Sequence, residues 1–135
     1  MEPEIKPAFT EASIEEFEAL AQQALATIPE ELARHIKGVL IRIVDFPDDD
    51  TQARMNLASP YHILGLYRGL PIIRKSVNWV SPYADMIFLY RRPILEYCRR
   101  SGENLADVVR HVMIHEVGHH FGFSDADMKR IEAAE

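Results

Sequence analysis

His115-Glu116-Val117-Gly118-His119-His120-Phe121-Gly122-Phe123-Ser124-Asp125 is the stretch on which the reading of this chain turns. On a helix, His115 and His119 stand one turn apart, about 40° round the axis and about 6 Å along it. Two imidazoles so placed can bind one ion from the same face. Glu116 lies roughly 60° from His119 on the wheel. It borders that face, where a base for a metal-activated water belongs. Gly122 follows, and a glycine there can take a positive φ, end the helix and turn the chain back. That turn delivers Asp125 as a third, oxygen ligand. Two neutral imidazoles and a carboxylate, with one position left for water, suit a Zn2+ ion. Asp127 is the alternative third ligand if the turn after Gly122 runs longer.

The flanking sequence supports a helix here. Asn104, after the Ser101-Gly102 break, is an N-cap type, and Leu105 to about Phe121 reads as one helix. A last short helix starts near Ser124 or Asp125. Far upstream, Ser13-Ile14-Glu15-Glu16 has the form of a capping box. Ile14, Phe17, Ala21, Ala24, Leu25 and Ile28 then recur at three- and four-residue spacing until Pro29. Residues 30–37 read as a short helical turn. Val39–Val44 is an apolar, largely β-branched run, predicted as a strand buried on both faces. Asp48 to Pro60 reads as a polar connection and Tyr61–Tyr67 as a second strand. Arg68-Gly69 turns the chain, with Leu70–Arg74 as a hairpin partner. Ser76–Tyr83 reads as a loop holding Trp79. Met86–Tyr90 is the third strand, and Pro93 suits the first turn of a helix to about Arg100.

Composition narrows the class. With 135 residues, 47% hydrophobic and 27% charged, the chain can bury a core. We expect a flexible tail over residues 1–12 and one domain over residues 13–135. Cys98 is the single cysteine, so the fold stands on packing and metal, not on an internal disulfide. The formal net charge is −6, which disfavours a nucleic-acid partner, since that needs a basic surface to displace counterions. The N-terminus lacks a basic segment followed by an apolar run. No apolar run reaches the roughly 18 residues that span a bilayer. The expectation is a cytoplasmic protein with no membrane partner.

A chance His-Glu-x-x-His occurs in roughly one random chain in a few hundred of this length. Requiring Gly and then Asp or His at the next positions cuts that by about a further hundredfold. With Gly122 and Asp125 in place, the stretch has the HExxHxxGxxD form of the zincins. The chain resembles a family of very small bacterial zincin-like metallopeptidases with a minimal metalloprotease fold. Besides Val112 to Asp125, Leu64-Gly-Leu-Tyr-Arg-Gly69 and Phe88-Leu-Tyr-Arg-Arg-Pro93 carry the likeness. The resemblance implies an α+β fold, a small mixed sheet packed on helices that include the active-site helix. It implies zinc at His115, His119 and Asp125, Glu116 as the catalytic base, and a peptide or protein substrate. One departure is plain: metzincins carry a methionine turn well downstream of the third ligand, and Met128 is too near to play that part.

Other residues have quieter readings. His120 is about 100° round from His119 and should miss the metal; it reads first as a core residue and second as a hydrogen-bond partner of a group that supports the site. His111, one turn before His115, reads as a solvated helix histidine, or as one that supports the site. His35 and His62 read as surface or packing residues. Cys98 reads as a buried small hydrophobe. Trp79 and Tyr83 suit either a lid over the cleft or plugs on the core. Two other functions compete with the peptidase. One is a non-catalytic, zinc-stabilised protein-binding module. The other is a metal-dependent nuclease, against which stand Glu116, where small zincin-like endoribonucleases have glycine, and the negative charge.

Overall fold

The structure, a computed structural model, describes residues 12–36, 38–69 and 85–133. Helix α1 (Ile14–Thr27) opens on the expected capping box: Ser13 N–H donates to Glu16 Oε1 at 2.7 Å, and Glu16 N–H to Ser13 Oγ at 3.1 Å. Pro29 follows the extended C-cap Ile28, so the helix cannot continue. A single turn, α2 (Glu30–Ala33), leads to strand β1 (Leu40–Val44). Helix α3 (Asp49–Arg54) then occupies the stretch expected to be a polar connection. Its cause is local: the Asp48 side chain accepts from Thr51 N–H at 2.8 Å and caps the helix.

Strand β2 (Gly65–Arg68) begins four residues later than expected, with turns and bends over Tyr61–Leu64. Strand β3 (Met86–Tyr90) passes directly into α4 (Arg91–Ser101), which ends at Gly102 with φ 78°. The expected hairpin partner Leu70–Arg74, and Trp79 and Tyr83, lie outside the described residues. Asn104 accepts from Ala106 and Asp107 N–H and starts α5 (Leu105–His120); α6 (Asp125–Ala133) closes the series.

The sheet has the order β1-β3-β2, with β1 parallel and β2 antiparallel to β3. One face carries Ile43, Ile87, Leu89, Gly65 and Tyr67, all buried, and turns them to the helices. The other face carries Leu40 and Arg42, both exposed. The strand β1 is therefore not buried on both faces: Leu40 and Arg42 lie open on the second face, although Tyr90 of β3 on that same face is buried. On that second face the Arg68 guanidinium lies 5.0 Å from the Phe88 ring centre, a cation–π contact.

Helix α5 is the hub, touching α1, α2, α4, α6, β2 and β3. Its Val108, Val109, Val112, Met113, Ile114 and Val117 are buried in the one core cluster. Burial of each such side chain contributes about 1.5–3 kcal/mol, so the helix that carries the histidines is anchored along its length. Among the described residues, no helix is long and apolar enough to cross a membrane.

Candidate metal centre

Helix α5 ends as its sequence asks. Gly122 takes φ 81°, Gly122 N–H donates to His119 O at 3.2 Å, and Phe123 N–H donates to Gly118 O at 2.8 Å. This is a Schellman turn, with glycine at the left-handed position. The chain then runs back along α5. Gly118 makes the close approach possible: a Cβ there would stand 2.4 Å from Met128 Sδ, and Met128 is fully buried.

Two ladders of side chains face each other as a result. On α5, His111, His115 and His119 repeat every four residues, with ring centres 4.0 and 5.7 Å apart. On α6, Asp125 and Glu132 are seven residues apart and share one face. At the turn end, His119 Nε2 lies 3.8 Å from Asp125 Oδ1. At the far end, His115 Nε2 lies 3.5 Å from Glu132 Oε1, and His111 Nδ1 donates a hydrogen bond to Glu132 Oε2. Burial, more than the neighbouring His111, holds the His115 pKa below the usual histidine value, and Glu132 opposes the shift. The shift favours the neutral ring, the form in which an imidazole ligates metal.

Glu116 points away from this ladder toward the sheet. Its Oε1 accepts Tyr67 N–H from β2 at 3.3 Å. Burial raises its carboxyl above the usual range, and the Tyr67 N–H and His119 pull it part of the way back. Gly65 lets β2 come this near, since a Cβ there would meet Val112 Cγ1 at 2.6 Å and Phe88 O at 3.0 Å.

Asp127 is engaged elsewhere. It accepts from Ser124 N–H at 3.3 Å and from Arg130 Nη2 at 3.4 Å, while its own N–H donates to Ser124 Oγ at 3.0 Å. It is the partner in a capping box for α6. His120 does not pack in the core. It is exposed and stacks on Tyr67 at 4.0 Å, because its place on the wheel turns it to β2 instead of the interior. His111 is not simply solvated, since Glu132 holds it. His35 stacks on Phe121 at 4.6 Å, and His62 lies exposed in an open depression beside Tyr61 and Tyr97. Cys98 is buried, and burial pushes its thiol up to about 11.

Glu132 escaped the sequence reading. The signal was its seven-residue distance from Asp125, which places both on one face of a helix after the Gly122 turn.

The His119–Asp125 pair fits a zinc ion, but His115 does not stand with it: among the described residues the group of three such donors within 4.8 Å of one another is His111, His115 and Glu132. Tetrahedral zinc with N and O ligands at 2.0–2.2 Å holds its donors roughly 3.4 Å apart. The 3.8 Å between His119 and Asp125 needs only a small closure to match. The set of imidazoles and carboxylate is also what zinc takes.

The family model described as zincin-like metallopeptidase matches residues 36–134, a span running from β1 through α6. That family implies a metal, typically zinc. No curated protein matches the chain.

Proposed function

We propose, for a chain that belongs to the zincin-like metallopeptidase family, that it is a zinc-dependent peptidase with His115, His119 and Asp125 as ligands and Glu116 as general base. The observation that carries this reading is the division of labour within one turn of α5. His119 faces Asp125 of α6, while Glu116, on the adjoining strip, is half-buried against β2. Asp125 is favoured over Asp127 because its carboxylate lies near His119, whereas Asp127 is spent on the cap of α6.

Zinc, when bound, supplies Lewis acidity toward a water and a peptide carbonyl. The chain supplies the proton path. Glu116 takes the proton of the attacking water and passes it to the leaving amine. Burial suits the carboxylate to both tasks, because a raised pKa makes it a stronger base and its acid form a usable donor. The backbone of β2 supplies orientation. Among the described residues β2 is an edge of the sheet, and an extended peptide pairs with it by strand addition.

The test is cleavage of a broad peptide library by zinc-loaded protein, wild type beside Glu116→Gln. We expect cleavage by the wild type and a loss of roughly 10²–10⁴-fold in the variant, with zinc content unchanged. No cleavage by the wild type, or equal cleavage by both, would leave a metal-stabilised binding module as the better account.

A further inference from the structure

The far end of the ladder is a ligand set in its own right. His111 Nδ1, His115 Nε2 and a Glu132 carboxylate oxygen lie within 4.8 Å of one another. The 3.5 Å between His115 Nε2 and Glu132 Oε1 is close to the donor spacing of a tetrahedral site. Glu132 is presented by a helix end that is tied down. Ile131 beside it is fully buried, and Arg110 Nη1 donates to Glu132 O at 3.1 Å while Arg110 Nε donates to Thr27 Oγ1 at 2.9 Å. The three donors come from two helices already packed at Gly118 and Met128. Little must move for an ion to enter except the His111–Glu132 hydrogen bond, which has to open.

We infer that His111, His115 and Glu132 form a second, weaker divalent-cation site, one helical turn along α5 from the proposed catalytic set and sharing His115 with it. The sharing rests on the proposed assignment of His115 as a catalytic ligand. Because the His115 Nε2 that faces Glu132 can bind one ion only, the chain holds one ion in one of two registers. The second register is catalytically silent. Glu116 flanks His119, and His111 is a further two turns from His119 along the helix. It is weaker because the His111–Glu132 hydrogen bond is lost on binding, whereas no such contact joins the donors of the first set among the described interactions.

Co2+ is the probe, followed by its visible absorption and by equilibrium dialysis, with circular dichroism to confirm folding. Wild type should take up one ion per chain; two per chain would overturn the sharing. The double variant His119→Ala/Asp125→Ala should still bind one Co2+, less tightly than wild type. Adding His111→Ala to it should abolish that binding. A double variant that binds no Co2+ would overturn the second site and leave the catalytic set standing. Binding that survives the added His111→Ala would overturn it too. The reciprocal variant His111→Ala/Glu132→Gln should keep its tight ion. Its complete loss there would instead overturn the catalytic set and support the far register as the metal site of this chain.

Discussion

The two ends of the α5–α6 pair carry the same kinds of side chain and treat them differently. At the turn end, the His119 and Asp125 side chains are 60% and 92% exposed and stand 3.8 Å apart. At the far end, Glu132 is 25% exposed, hydrogen-bonded to His111, and fixed through its backbone by Arg110. The difference shows that proximity of donors is not the same as readiness to bind. A carboxylate already holding an N–H must surrender that bond before it ligates. For a half-exposed pair this costs about 1 kcal/mol, a several-fold handicap in affinity. Asp125 carries no such handicap. On the proposed assignment, the looser end is the one that holds and exchanges the catalytic ion.

The sharpest way to break the comparison is at its two aspartates. Asp125→Ala should weaken zinc binding by orders of magnitude, read by competition with a chromogenic chelator. Asp127→Ala should leave zinc in place and cost about 1 kcal/mol of stability through the lost cap, read by urea unfolding. The reverse outcome would transfer the ligand role to Asp127.

Next in size is Gly65→Ala. A methyl group there meets Val112 Cγ1 at 2.6 Å and backbone Phe88 O at 3.0 Å, so β2 must move off α5. A displacement near 1 Å costs about 10²-fold in rate. We expect kcat/KM to fall by that order while zinc stoichiometry stays unchanged, since neither Val112 nor Phe88 is a proposed ligand. Loss of zinc would show that the position of β2 also sets the ligands.

Gly122→Ala acts on both ends at once, because one turn sets the return of α6. At φ 81° an alanine is strained by about 1–2 kcal/mol. The melting temperature should drop, and Co2+ affinity should fall in wild type and in His119→Ala/Asp125→Ala alike. An effect confined to one register would show that the two ends are not governed by the same turn. The smallest effect is expected from His111→Ala alone: under about 1 kcal/mol of stability for a half-exposed pair and little change in zinc affinity.

What the sequence revealed, and what it hid, divides along the range of the forces involved. The caps at Ser13 and Asn104, the turn at Gly122 and the helical run of α5 are set by residues a few positions apart, and all were legible. So were the α+β class and the histidine pair. The helix α3 was missed although its cause is just as local: Asp48 heads a run of three aspartates, and the run reads as solvated loop unless its first member is taken as a cap. The start of β2 was misplaced because pairing with β3 fixes it, and β3 lies some twenty residues on. Glu132 went unnoticed for a similar reason. Its role depends on the angle at which α6 returns, which the close contact of Gly118 with Met128 determines. The stack of His120 on Tyr67 is likewise a contact across fifty positions and left no mark in the local pattern.

The most direct test is an anomalous-scattering map at the zinc edge from crystals grown with one equivalent of zinc. The account predicts one peak per chain, roughly 2.0–2.2 Å from His115, His119 and Asp125, with Glu116 beside it and outside bonding distance. A peak bounded by His111, His115 and Glu132 alone, or by Glu116 as a ligand, would contradict it.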